Sequence, residues 1–208
     1  MNSSKNYNVK KLNLPQKEWW KETEQAKLDC FPWSSKDKND FCPVTNAWLG
    51  TDGSSIFVYM ETDETKLRIE TKGFGFVHTD SCMEFFISPN PASPRYLNFE
   101  FNPAAAMYLS IGTSRYDREE LPLDNYLDLF QVKTNILERG WNLQFHIPLS
   151  FLKRFFPLLE LIPGCTIRGN FYKCGDKTER PHHGCWSPID LPKPDFHCPA
   201  FFGTLTFV

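Results

Sequence analysis

The sequence predicts an all-β fold, an antiparallel β-sandwich or jelly roll with minor short helices. Three observations predict it. Apolar residues alternate with period two in several short segments. Proline, glycine, asparagine and aspartate punctuate those segments at intervals of roughly ten residues. Helical signals are few, and sixteen prolines favour turns over long helices. No internal repeat or Gly/Ser linker divides the 208 residues. One domain is therefore expected over 1–208, with 1–32 as an N-terminal strand or helix segment packed on it.

The elements follow in order. Leu14–Asp29 has good helix formers after a proline but irregular apolar positions, and predicts a minor helix near 14–28. "SIFVYMET" (Ser55–Thr62) is apolar on both faces and predicts a central strand. "SCMEFFIS" (Ser81–Ser88) sets Phe85 and Ile87 against Glu84, Phe86 and Ser88. "RYLNFEFN" (Arg95–Asn102) puts Leu97, Phe99 and Phe101 on one face and Tyr96, Asn98, Glu100 and Asn102 on the other. "AMYLSIG" follows the break at Pro103 and completes a hairpin. "GWNLQFHIPL" (Gly140–Leu149) alternates Leu143, Phe145 and Ile147 with Asn142, Gln144 and His146. Pro148–Leu161 predicts one short helix near 150–156, with Ser150 as its cap and Pro157 as its end. "TIRGNFYKCG" (Thr166–Gly175) sets Arg168, Asn170, Tyr172 and Cys174 against Ile167, Gly169 and Phe171, and "FFGTLTFV" is a last strand.

Charge and composition exclude some partners. The net charge of −2 leaves no basic excess for phosphates, so no nucleic-acid partner is expected. No apolar run reaches the roughly 18 residues of a membrane span, so no membrane partner is expected either. The N-terminus lacks the apolar stretch of a signal peptide. A cytoplasmic place is expected if the chain is full length, and an extracellular one if a signal was removed. Seven cysteines with no CxxC pair predict mostly reduced, buried thiols rather than a disulfide framework. The oligomeric state is not written in the sequence.

The polar strand faces point to chemistry. Asn98, Glu100, Asn142, Gln144, Arg168, Asn170 and Tyr172 are amides, an acid, an arginine and a phenol, where lysine and glutamate are commoner on a solvated face. They suit a shallow cleft that hydrogen-bonds hydroxyls. A wet outer face, or a polar network buried in the protein, explains the same pattern.

Several motifs then follow in a distinctive order: "DSCMEFFISP", "YLNFEFNP", Ser114–Arg115, "WNLQFHIPLSFL", "GNFYKCGD", "HHGCWSPI" and "PDFHCPAFFGTLTF". From about Trp33 to Val208 the chain resembles the family 9-like carbohydrate-binding modules, β-sandwiches related to the sugar- and haem-binding DOMON domains. The resemblance implies non-catalytic binding of an oligo- or polysaccharide. It also implies a terminal sugar held between two tryptophans, with polar side chains on its hydroxyls, and in some members structural calcium. By motif position Trp186 matches the stacking tryptophan of the C-terminal loop, His183 a polar contact and Arg115 the arginine. The expected binding set is Asn98, Glu100, Arg115, Asn170, Tyr172, His183 and Trp186. Trp48 and Trp141, or Tyr96 and Tyr172, are candidates for the second aromatic. An indole covers the C–H face of a pyranose and keeps its N–H for a partner, and a site that binds hydroxyls rejects analogues lacking one. Core packing is the alternative role for Trp186.

Rival chemistries have weaker patterns. Cys174, His182, His183, Cys185, His197 and Cys198 are zinc-type ligands, but their spacing matches no common motif. Asp52, Asp63, Glu64, Asp80, Asp117 and Asp124 fall in predicted loops and would suit calcium, without EF-hand spacing. No cofactor is expected beyond that calcium option. Glu84 and Glu100 would be the carboxyl pair of a glycosidase. A haem module would draw on Met60, Met107, His78 or His146.

Overall fold

The computed structural model describes residues 4–13, 17–34 and 40–208. Its strands in chain order are β1 (Asn6–Lys11), β2 (Ala26–Lys27), β3 (Thr45–Thr51), β4 (Ser55–Thr62), β5 (Cys82–Ser88), β6 (Tyr96–Phe101) and β7 (Met107–Ser114). They continue with β8 (Asp117–Glu120), β9 (Lys133–Leu137), β10 (Gly140–Pro148), β11 (Thr166–Cys174), β12 (His183–Cys185) and β13 (Gly203–Phe207). Among the described residues two four-residue α-helices, α1 (Tyr126–Leu129) and α2 (Leu149–Leu152), and three short 3-10 turns accompany the strands. Among the described residues no helix is long and apolar enough to cross a membrane.

The order β8-β7-β6-β5-β11-β13 makes the first sheet, and β3-β4-β10-β9 makes the second. β12 adds to β11, and β2 to β3. Neighbours within each sheet run antiparallel. β1 is the exception. It runs parallel to β13 from Asn6 to Val9 and parallel to β3 at Lys10 and Lys11, so it joins the two sheets.

The period-two alternation becomes a core between the sheets. Phe85, Leu97, Phe99, Ile167 and Phe171 from the first sheet meet Leu49, Val58, Leu143 and Phe145 from the second. Phe85 and Phe171 stack at 4.9 Å, and Phe99 lies 6.0 Å from Phe145 across the interface. Gly140 enters β10 at φ 99°, where a side chain would strike the Thr62 carbonyl, so only glycine permits this turn.

The outer faces are covered as well. On the first sheet, Phe86, Tyr96, Tyr172, Phe196 and Phe202 form a second apolar cluster with the C-terminal segment. On the second, Leu12 and Trp19 pack on Tyr59, and Trp20 stacks on Tyr59 at 3.9 Å.

Three sequence expectations are corrected here. For the helix near 14–28, residues 14–16 lie outside the described residues, and Trp19–Glu22 is a single 3-10 turn before β2. Glu18 at φ 59° and the extended Thr23 confine that turn. The helix near 150–156 starts at Leu149, and Ser150 makes no capping bond. β10 pairs with β4 and β9, so Asn142 and Gln144 belong to the second sheet, away from Asn98 and Asn170.

Candidate functional site

The outer face of the first sheet carries a row of four opposed residues, Tyr172–Glu84–Glu100–Tyr108, on β11, β5, β6 and β7. Directly opposed residues in antiparallel strands share a face, so these side chains rise together. The C-terminal segment lies over part of the row. Phe196 stacks on Tyr172 at 4.1 Å, and the Tyr172 hydroxyl donates to the Phe196 carbonyl at 3.1 Å. Tyr96 Oη and His197 Nδ1 hydrogen-bond at 2.9 Å. Arg115 holds the same segment through Asp195 at 3.3 Å and the Pro194 carbonyl at 2.9 Å.

The cover is incomplete over the two glutamates. A cavity of about 190 Å³ remains, with Glu84, Glu100 and Cys174 at its floor and Phe76, Tyr108 and Phe196 as its aromatic walls. Arg115, Arg118, Asp176 and His183 stand around it. Arg118 lies 5.7 Å from the Tyr108 ring centre and donates to the Arg115 carbonyl at 3.1 Å. His183 Nε2 and Asp176 Oδ1 are 3.0 Å apart. Burial alone would raise Asp176, but its bond to His183 holds it below the usual carboxylate range. A larger hollow of about 740 Å³ lies elsewhere, lined by Phe155, Leu158, Ile162 and several prolines. Asn90, Ser93, Arg95 and Glu160 are the polar residues of its lining.

The floor is electrostatically unusual. Glu84 and Glu100 are each only 2% exposed. Burial pushes Glu84 up to about 7. Burial, and then the neighbouring Glu84, pushes Glu100 well above the ordinary carboxylate range. A carboxyl kept neutral donates one hydrogen bond and accepts others. Asn98 Nδ2 donates to Glu100 Oε1 at 2.7 Å, and Ser110 donates to Asn98. Glu100 Oε2 is buried with no hydrogen-bond partner among the described residues.

The structure brings together three residues of the expected binding set, Glu100, Arg115 and His183, with Asn98 as the support behind Glu100. The other three lie elsewhere. Tyr172 is spent on Phe196. Asn170 accepts from Ser187 N at 2.8 Å and donates to Ser187 O at 2.9 Å, fixing the chain after β12. Trp186 is 3% exposed in the main core, edge-on to Tyr7 at 6.3 Å and to Phe171 at 5.7 Å. Its backbone N–H bonds the Phe171 carbonyl, and its ring lies against Gly203, so it has no open face for a ligand. Of the candidates for a second aromatic, Trp141, Tyr96 and Tyr172 are fully buried, and Trp48 packs on the second sheet.

Phe76, Tyr108 and Phe196 were missed. Tyr108 had a signal, because the hairpin after Pro103 sets Glu100 opposite it. Phe196 lay inside the "PDFH" motif, but its position over the sheet is a tertiary fact.

The rival metal sets do not converge as the sequence grouped them. His182 sits with Lys173 at 2.9 Å, His197 with Tyr96, and Cys185 beside Cys30. Asp52, Asp63, Asp80 and Asp117 each accept hydrogen bonds from nearby protein groups, and Glu64 pairs with Lys173 at 2.8 Å. Met60 and Met107 are buried in the core.

Comparison with known proteins adds three findings. A family model described as carbohydrate-binding family 9 matches residues 14–207. A Bacteroides uniformis protein, provisionally described as carbohydrate-binding, is 33% identical; the match covers 99% of this chain and 100% of that one, with a TM-score of 0.84. A carbohydrate-binding module of family 9 from Caldicellulosiruptor kristjanssonii, solved with glucose, is 14% identical over 98% of this chain and 96% of that chain, with a TM-score of 0.67. Its complex with cellotriose gives 14% identity, 98% and 93% coverage, and a TM-score of 0.66. At that identity the likeness concerns the fold, a β-sandwich. No curated protein matches.

Proposed function

The chain belongs to carbohydrate-binding family 9, and from that premise we propose that it binds a saccharide, without cleaving it, in the pocket above Glu84 and Glu100. The observation that carries the reading is the Glu100 Oε2 atom, buried, unpartnered and set in the floor of an aromatic-walled cavity. A ligand hydroxyl hydrogen-bonded to that oxygen removes the cost of leaving it unpaired, on the order of 1–3 kcal/mol. Tyr108 and Phe196 line the cavity as its apolar walls, against which the C–H side of a sugar ring would pack. Asp176 and His183 offer polar groups at the rim.

The size of the pocket narrows the ligand. About 190 Å³ is below the roughly 300–1,000 Å³ typical of sites that enclose drug-sized molecules. One sugar residue, free or at the end of an oligo- or polysaccharide, is the guest that fits this reading.

The two carboxyls argue for holding rather than cutting. A glycosidase places its carboxyls on either side of the scissile bond. Glu84 and Glu100 rise side by side from one floor and meet one side of a guest.

Calorimetry with glucose and cellotriose, followed by a glycan array, tests the proposal. Glu100→Ala is expected to weaken binding of any sugar that binds by about tenfold or more, in line with the loss of one buried hydrogen bond to a polar partner. Saccharide binding unaffected by that change, or release of shorter sugars on incubation, overturns it.

A further inference from the structure

The same floor holds a second feature, two thiols gathered around the Glu84 carboxyl. Cys82 opens β5 and Cys174 ends β11, and the two are opposed across the strands. Glu84, two residues along from Cys82, shares its face. The sulfur atoms of Cys82 and Cys174 and a carboxyl oxygen of Glu84 all lie within 4.8 Å of one another. Their residues are 0%, 2% and 2% exposed. Glu84 and Cys174 also line the cavity, so the open side of the cluster faces it.

We infer that Cys82, Glu84 and Cys174 form a binding site for a thiophilic divalent cation of the Zn²⁺ class, with its fourth coordination position turned toward the pocket. Two sulfurs and one carboxylate select a soft or borderline ion over Ca²⁺ or Mg²⁺. Three protein ligands with one place left for water or a ligand atom is the arrangement of open zinc sites. Zn–S near 2.3 Å and Zn–O near 2.0–2.2 Å place tetrahedral ligand atoms roughly 3.3–3.8 Å apart. Cys174 Sγ is 2.9 Å from Glu84 Oε1, so these two side chains part by under about 1 Å on metal entry.

The proton balance is explicit. Binding displaces the protons of both thiols, and that of Glu84 where it is protonated, into solvent. The divalent charge replaces them against three anionic ligands, for a net charge of −1. Glu100 Oε2, unpartnered in the same cavity, stays available to a ligand held at the fourth position. The inference stands apart from the sugar proposal, because metal binding is measured with no saccharide present.

The test is a Co²⁺ titration of the full chain after reduction and chelation. One equivalent of Co²⁺ is expected to give thiolate-to-metal absorption in the near-ultraviolet and visible bands of a tetrahedral site, both removed by Zn²⁺. Cys82→Ser and Cys174→Ser are expected to abolish the near-ultraviolet band at one equivalent, while Cys42→Ser, an exposed thiol, leaves it unchanged. Glu84→Gln is expected to weaken binding about tenfold or more. Where a serine variant fails to fold, the melting shift of the parent chain with Zn²⁺ decides. A rise that Glu84→Gln removes supports the site. No thiolate band in the parent, a band that survives both serine changes, or no Zn²⁺-dependent rise in melting temperature overturns it. Calorimetry with glucose in chelator scores the sugar proposal separately.

Discussion

Each sheet has an outer face closed by a terminal segment, and the two closures differ. On the second sheet the N-terminal turn lays Trp20 flat on Tyr59 at 3.9 Å, with Trp19 and Leu12 packed beside them. On the first sheet the C-terminal segment lays Phe196 on Tyr172 at 4.1 Å in the same way. There the likeness stops. One strand over from Tyr172 the row turns from aromatic to carboxyl, and the cover draws back from Glu84 and Glu100. Both closures leave a buried polar atom short of a partner: an indole N–H, Trp19 Nε1, beside the Trp20–Tyr59 stack, and a carboxyl oxygen, Glu100 Oε2, on the first sheet. Only the second belongs to a residue that lines a cavity. The difference between a sealed face and an open cavity is two residues in one cross-strand row.

Substitutions can break this comparison. The largest expected effect lies in neither cover. Trp186→Ala should cost about 3–5 kcal/mol in a denaturation series, because it empties a core position between Tyr7 and Phe171. Saccharide affinity of the folded fraction should hold. A loss of affinity with unchanged stability would return Trp186 to the site.

A smaller effect comes from acid. Burial, then Arg118 and Arg115, lowers His197 from 6.5 to about 2. The unfolded chain takes up that proton as pH falls through 6.5, and the folded chain does not. Stability from this group is therefore present above pH 6.5 and declines below it, by on the order of 1–2 kcal/mol at pH 5. Hydrogen-exchange protection, referred to the intrinsic rate at each pH, should fall across the amides of Pro194–Phe202 between pH 7 and 5, with that of Trp19–Glu22 unchanged. His197→Gln should flatten the trend, and an equal fall in both covers would refute the assignment.

The smallest effects separate the two stacks by function. Trp20→Ala should cost about 1–2 kcal/mol of stability and leave binding alone. Tyr108→Ala should lower the saccharide affinity of the folded fraction about tenfold, or 1.4 kcal/mol, on top of the stability it costs as a buried ring. The reverse pattern would place the site on the second sheet.

Much of this was readable in the sequence, and the rest was not, for physical reasons. Alternation is a local property, so β4, β5, β6, β7, β10, β11 and β13 emerge within one or two residues of their predicted bounds. β3 escaped because Trp48 packs outward between the inward Ala47 and Leu49, which blurs its period. β1 carries only two buried residues, and its partners lie far away in the chain. Of the residues expected to bind, Glu100, Arg115 and His183 line one cavity. Trp186 does not, because a residue type does not say which face of a sheet its chain turns toward after β12. The same limit hid the split between Asn98 and Asn142. Both stand in clean alternation, and only strand pairing assigns them to different sheets.

β1 has a consequence for how the molecule is made. Asn6 registers against Thr204, while Lys10 registers against Gly50. The strand that joins both halves therefore precedes the other strands in synthesis and is the last to find a full set of neighbours. Such long-range closure slows acquisition of the native state. Until it occurs, β1 offers an unsatisfied backbone edge to any other nascent chain nearby.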